Sequence, residues 1–316
     1  MHLAAAMSRE EPRPAHDAPQ GNGETTAEFV SVIIPVRDDA LRLRTCLQAL
    51  ADQDYPSDRL EVMVIDNGSS DDPAGVAAGF PQVRFLREPR PAADRARNAG
   101  VRAARGQVLA FTDSDCVPRA NWIRCGVERL AQLPQPGLVA GRIEVTARDP
   151  ATASLAELHD LVLAFQQERC VRRSHYGATA NIFTRREVFE AVGPFREDYG
   201  GDAEWGLRVY RSGRAVVYAD DVRVAHPARE TVAALVARTR RGARELVAWR
   251  RGSPVLLLRD QLKELVPPPD FVWRIMTSPI LRGWGDRARV FLLFLALRQV
   301  RFWERLRLLA GGKPVR

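Results

Sequence analysis

Short apolar bursts alternate with longer, sparsely apolar stretches through the first third of the chain. Residues 29–36 (Phe-Val-Ser-Val-Ile-Ile-Pro-Val) and 60–65 (Leu-Glu-Val-Met-Val-Ile) are β-branched runs of strand length, as in strands buried on both faces. Shorter runs at 83–86 and 107–112 read the same way. Between them, Leu41, Leu43, Leu47 and Leu50 give apolar content to a helix that Asp38 or Asp39 can cap, and a second helix is predicted over 92–104. Strand and helix alternating at this spacing predict a parallel sheet with crossover helices. Ligands gather beyond the carboxyl ends of such strands. Three polar clusters stand there: Arg37-Asp38-Asp39, Asp66-Asn67 and Asp113-Ser114-Asp115.

The second half is less regular. It predicts a strand at 137–146, one helix over 155–169, a short strand at 181–184 and a helix at 185–192. A further helix runs to Gly213, followed by two strands at 215–218 and 222–225 and a helix at 231–250. Residues 1–27, rich in Pro, Gly, Glu, Thr and Ala, predict a disordered leader with neither the basic start nor the apolar core of a secretory signal. The organisation expected is therefore a leader (1–27), an α/β domain (28–228) and a helical extension (229–316).

Charge sharpens that division. The chain of 316 residues carries +8 overall, yet 19 Lys and Arg against 7 Asp and Glu from Arg229 onward put +12 on the last quarter and −4 on residues 1–228. A mildly acidic front suits a site that holds a metal ion. The basic balance raises nucleic acid as a partner, but no nucleic-acid module is recognisable and the aromatics of the tail sit in apolar runs, so none is expected. Cys46, Cys116, Cys125 and Cys170 have no C-x-x-C or zinc spacing and read as buried, reduced thiols of a cytoplasmic protein. No apolar run reaches the roughly 18–20 residues of a spanning helix.

Asp113 and Asp115, one residue apart at a strand end, can share a hard divalent cation, Mg²⁺ or Mn²⁺, with the phosphates of a substrate. A cation there stabilises charge on a departing diphosphate. Alone, the tripeptide is equally well a turn.

Its context decides. Val32-Ile-Ile-Pro-Val-Arg37, Val64-Ile-Asp-Asn-Gly-Ser-Ser-Asp71, Ala96-Arg-Asn-Ala-Gly100 and Phe111-Thr-Asp-Ser-Asp115, in this order and spacing, resemble the family 2 glycosyltransferases. The likeness continues through 181–194 and 200–227. It implies a GT-A-like, Rossmann-type mixed sheet flanked by helices, with the helical C-terminal extension added. It implies transfer of a sugar from a nucleotide-diphosphate donor, with inversion, to a hydroxyl acceptor, glycan or lipid-linked. Pro35 and Arg37 would flank the nucleotide base, and Asp66, beside Asn67, would hydrogen-bond it. Arg97 and Asn98 would lie near the donor, with Arg95 an alternative for the basic role. Asp113 would approach the ribose or the metal, and Asp115 would be the principal metal ligand. Structural readings stand beside these: Pro35 as a strand terminus, Asn98 as a turn residue.

Inverting members of the family draw a catalytic base from a Glu-Asp pair opening a late helix. Here that pair reads Gly201-Asp202, followed by a second acid at Glu204. Positions i and i+2 do not share a helix face, so only one of Asp202 and Glu204 is expected to point at the site. Asp202 is the residue expected to take the acceptor proton, or, in the plainer reading, to cap its helix. His226 is a candidate for the metal shell or the diphosphate, and equally for a structural role.

In the basic tail, Arg238, Arg240, Arg241 and Arg244 crowd one helix, as a solvated face or a lid near the phosphates. The Gln-x-x-Arg-Trp signature of processive synthases is absent, which favours single additions. Over 286–309, Arg287, Arg298, Arg301 and Arg305 fall near one another on a helix rich in Phe, Trp and Leu. That pattern fits a helix lying on an anionic membrane surface, peripheral on the inner face of the cell membrane, or one packed on the domain. Two other functions stay open: a nucleotidyltransferase, and a non-catalytic sugar-nucleotide-binding scaffold.

Overall fold

The computed structural model describes residues 27–197 and 201–312; the expected leader, apart from residue 27, lies outside them. A mixed sheet carries the molecule. Its eight strands are β1 (Val30–Val36), β2 (Leu60–Asp66), β3 (Val83–Arg87), β4 (Val108–Thr112), β5 (Val117–Pro118), β6 (Leu138–Thr146), β7 (Asn181–Arg185) and β8 (Val216–Pro227), in the order β3-β2-β1-β4-β7-β6-β8-β5. The first four strands are parallel, as the alternation predicts. β7 then runs antiparallel to both β4 and β6, β8 is parallel to β6, and β5 is antiparallel to β8.

Alternation along β1 explains the layers. Val30, Val32, Ile34 and Val36 enter the core beneath α1 (Ala40–Ala51) and α4 (Trp122–Ala131), while Ile33 faces the other core, under α3 (Ala93–Ala103), α7 (Arg186–Val192) and α8 (Gly201–Arg211). α2 (Pro73–Ala77), capped by Asp72, fills the link between β2 and β3. In the second core, Phe111, Phe189, Phe195 and Trp205 form an aromatic cluster with ring centroids 5.1–6.3 Å apart. Each such ring is worth about 1.5–3 kcal/mol when fully buried, so the start of α8 is anchored by Trp205.

Two sequence expectations change. The single helix over 155–169 is broken into α5 (Leu155–Leu163) and α6 (Gln167–Ser174), with Phe165 between them at φ 43°. The two strands at 215–218 and 222–225 are one, β8, which bulges opposite Gly141 and Arg142.

The extension is helical: α9 (Val232–Trp249), α10 (Pro254–Leu262), α11 (Pro269–Thr277) and α12 (Gly283–Leu309). α12 packs on α9, α5 and α11. Of the two expectations for the basic stripe, packing on the domain describes Arg287, Arg298 and Arg305, whose side chains turn inward. Arg298 and Arg305 are buried; Arg298 donates to the carbonyls of Glu264 and Val266, and Arg287 to those of Met276 and Ser278. Guanidiniums there cap helix and loop carbonyls that would otherwise lack partners. The extension also turns apolar residues outward, among exposed basic ones: Val255, Leu258, Val266, Trp273, Trp284, Leu292 and Trp303 are all more than half exposed. Among the described residues no helix is long and apolar enough to cross a membrane.

Candidate active site

The carboxyl ends of β1, β2 and β4 meet the start of α8 and the end of β8. Arg97 sits at the centre. Gly100 lets α3 lie close on the sheet, since a Cβ there would stand 2.7–2.8 Å from Ile65 and Ile33. One turn earlier, the buried Arg97 donates to Asp94 Oδ1 at 3.0 Å and to Asp113 Oδ1 at 2.8 Å. The charge of Asp202 also acts on it. Two carboxylates thus share one guanidinium, with a third within electrostatic reach.

Asp202 lies three residues before Trp205, on the inward face of α8. Burial, and then the negative charge of Asp94, raise its pKa above the ordinary aspartate value. Its Oδ1 also accepts from the Ala203 amide at 2.7 Å, within the first turn of α8. Glu204 is turned elsewhere. It is buried, both its carboxylate oxygens accepting from Arg208 Nε (2.8 and 3.0 Å), and the rest of that guanidinium donates to the Gly193 and Pro194 carbonyls. Of the two acids, Asp202 is the one whose charge acts on Arg97, while Glu204 is held by Arg208.

Gly201 replaces the acid of the family pair, and Asp94 fills the space. The Gly201 amide donates to Asp94 Oδ2 at 3.1 Å, and a Cβ on residue 201 would lie 2.5 Å from that carboxylate. Asp94 was missed from the sequence, where it looks like any acid in a helix's first turn.

On the other side of Asp113 stands Asp115. Its pKa is raised by burial, against the lowering effect of His226. His226 Nδ1 donates to the Pro227 carbonyl at 2.8 Å, which turns Nε2 toward Asp115 Oδ1 at 3.5 Å. A carboxylate oxygen and a ring nitrogen so placed fit a cation bound between them once Nε2 carries no proton. Cys116 joins Asp115 and His226 within 4.8 Å. Burial and the adjacent Asp113 hold its thiol well above the ordinary range, and it donates to the Ala180 carbonyl at 3.8 Å. A protonated thiol is no ligand for a hard cation, so the oxygen of Asp115 and the imidazole of His226, with Asp113 adjoining, are the set that fits. Phe165 packs on the His226 ring, with centroids 4.4 Å apart.

The remaining candidates divide. Asp66 is buried, accepts from the Ser69 amide at 2.9 Å, and lies 3.6 Å from Arg87. Pro35 is buried opposite Ile65 in the ladder, and Arg37 is exposed next to Asp38. Asp38, at φ 52°, accepts from the amide and hydroxyl of Ser70. Asn67 and Asn98 are brought into scaffolding contacts rather than left open for a ligand. Asn67 donates to the Glu88 and Arg90 carbonyls and accepts from Ala92 N, fixing the approach to α3. Asn98 exchanges two hydrogen bonds with Phe195 (2.9 and 3.0 Å). Arg95 is paired with Glu197 at 2.9 Å. Glu245 of α9 is a further group that the sequence did not single out. Burial, with Asp202 and Asp94 close enough to act on it, pushes its pKa up to about 7.

A curled mixed sheet with carboxylates gathered at its strand ends defines a GT-A glycosyltransferase. The sequence profile of glycosyl transferase family 2 matches residues 31–193, and the chain belongs to that family. It is 34% identical over 232 residues to the glycosyltransferase AglE of Haloferax volcanii, covering 71% of this chain and 75% of that one. To the pre-mycofactocin glycosyltransferase of Mycobacterium tuberculosis it is 30% identical over 220 residues, 66% of this chain and 45% of the relative. The fold is that of a mannosyltransferase from Pyrobaculum calidifontis solved with GDP-Man and Mn²⁺ (TM-score 0.63, 20% identity, 92% and 89% of the two chains).

Proposed function

We propose that this glycosyltransferase moves a sugar from a nucleotide-diphosphate donor, with inversion, to a hydroxyl of its acceptor, and that Asp202 is the general base. The observation that carries the reading is the shared guanidinium: Arg97 gathers Asp94 and Asp113 and is acted on by Asp202. A half-buried carboxylate with a raised pKa, near the donor-side acids, suits removal of a hydroxyl proton. Asp115 and His226, with Asp113 beside them, would hold a Mg²⁺ or Mn²⁺ ion. Such an ion would neutralise charge on the departing nucleoside diphosphate. The related mannosyltransferase, solved with GDP-Man and Mn²⁺, supports this choice of donor and cation. Asp66, Pro35 and Arg37 line the donor-base side in this reading.

The extension would rest on a membrane surface through its outward aromatic and aliphatic residues, Trp273, Trp284 and Trp303 among them. The test is direct. Purified protein is incubated with nucleotide-sugars and Mn²⁺, and the released product is identified. A nucleoside diphosphate with an inverted glycoside supports the reading. Pyrophosphate release identifies a nucleotidyltransferase, and absence of any turnover favours a scaffold. Sedimentation with anionic vesicles, lost on replacing the three tryptophans, tests the membrane contact.

A further inference from the structure

A cavity of about 250 Å³ opens among the helices of the extension and α5. Its lining is chemically two-sided. Four arginines reach it, Arg169, Arg238, Arg298 and Arg301, and no Asp or Glu does. The opposing walls are apolar, with Leu163, Phe271 and Phe294 among them.

The nearby carboxylates are oversubscribed. Glu264 is shared by Arg298, Arg301 and Arg305 at 3.1–3.5 Å. Asp270 is shared by Arg169 and Arg173 at 2.6 and 3.3 Å. Arg238 pairs with no carboxylate among the described residues; its guanidinium lies over the Phe165 ring, 5.4 Å from the centroid. Burial and the like charge of Arg229 pull its pKa down to about 10, which leaves it cationic at neutral pH. His159, also in the lining, is buried with an Nδ1 that lacks a hydrogen-bond partner: Asp160 Oδ1, at 3.5 Å, is too distant. A half-buried cation with no carboxylate in contact, and only the more distant Asp160 offsetting its charge, is costly unless a ligand supplies a partner.

The cavity adjoins the active site. Arg238 touches Phe165, Phe165 packs on His226, and His226 faces Asp115. Arg238 and Asp202 both act on the Cys170–Tyr176 pair between them. Along α9, Arg238 and Glu245 are seven residues apart and so share a face. One faces this cavity and the other lies within electrostatic reach of Asp202 and Asp94. α11, which puts Phe271 in the lining, turns Trp273 outward.

We infer that this cavity is the acceptor subsite and takes a phosphorylated lipid, its phosphate or diphosphate among Arg238, Arg301 and Arg169 and the start of its chain along Leu163, Phe271 and Phe294. Arginine suits a phosphate because its fork donates two parallel hydrogen bonds to one anion. The inference names the acceptor for the transfer proposed above and rests on that reading. Its test does not need turnover.

Binding of decyl phosphate to the full chain, below its micellar range and without donor or metal, is measured by calorimetry against decanol and inorganic phosphate. The expected result is binding of decyl phosphate at least tenfold tighter than either comparator, weakened at least tenfold by Arg238→Met. Because Arg238 has no carboxylate partner, that variant is expected to melt no lower than the wild type in the absence of ligand. Arg301→Met is a second variant, also expected to weaken binding. Equal affinity for decanol would reduce the site to an apolar hole, and equal affinity for inorganic phosphate would reduce it to an anion site. Unchanged binding in Arg238→Met, or a melting point several degrees lower, would overturn the assignment. Failed transfer with intact lipid binding would instead count against the catalytic reading alone.

Discussion

Replacing Gly201 by alanine probes how this chain lives without the first acid of the family pair. The new Cβ would stand 2.5 Å from Cγ and Oδ2 of Asp94 and 2.7 Å from Oδ1, about 1 Å inside an ordinary carbon contact. Asp94 cannot yield freely, because the Gly201 amide (3.1 Å) and Arg97 (3.0 Å) hold it. Overpacking costs about 1–3 kcal/mol, and a lost hydrogen bond to a charged group about 1.5–3 kcal/mol. Alanine's helix preference returns at most about 1 kcal/mol. The steric and ionic terms win, so Gly201→Ala should lower stability by roughly 2–4 kcal/mol on these terms. That corresponds to a melting point lower by about 4–15 °C at the sensitivity expected of large domains. Adding Asp94→Ala empties the contested space. The double variant, followed by thermal and denaturant unfolding, should then lose at least about 1 kcal/mol less than the sum of the single changes. Additive losses would show that Asp94 does not occupy the place of a side chain at 201.

Other predictions follow from the same geometry. Arg97→Met leaves Asp94 and Asp113 without their partner, and should cost about 3–5 kcal/mol and move the acid limb of the rate profile to higher pH. The sign follows from Asp202, which must be ionised to act and whose raised pKa Arg97 holds down; a limb that stays in place would contradict the link. Glu245 has a folded pKa of about 7 against 4.5 for an ordinary glutamate. The folded state therefore binds more protons than the unfolded one between these limits, and stability falls as pH rises through that window. Glu245→Gln should flatten this decline in melting experiments between pH 5 and 8. His226→Ala should weaken Mn²⁺ binding at least tenfold by calorimetry, and unchanged affinity would remove His226 from the metal set.

Much of the donor half was legible because its signals are local. Buried parallel strands are continuous β-branched runs, and their ends show as abrupt switches to Asp, Asn and Gly; β1, β2 and β4 could hardly be read otherwise. α4 was not read, because Gly126 in its middle looks like a breaker. The structure instead sets that glycine against the Phe183 ring, which a Cβ would meet at 2.4 Å. Nothing in the sequence marks the break at Phe165, a bulky residue at positive φ packed on the His226 ring. α10 and α11 were unread because the periodicity of 254–277 is blurred by residues left apolar on the outside. The inward turn of Arg298 and Arg305 was likewise hidden: a basic stripe normally faces water, and only the carbonyls and Glu264 beneath it explain the reversal. Asp94 and Glu245 reach the site through tertiary packing alone.

The measurement that bears most directly on the account is Asp202→Asn, assayed in parallel for sugar transfer and for binding of the donor with Mn²⁺. The amide keeps the side chain's size but cannot accept the acceptor's proton, so turnover should fall about 10²–10⁴-fold while donor affinity stays within a few-fold of wild type. Transfer retained within tenfold, or donor binding lost in step with transfer, would contradict Asp202 as the base.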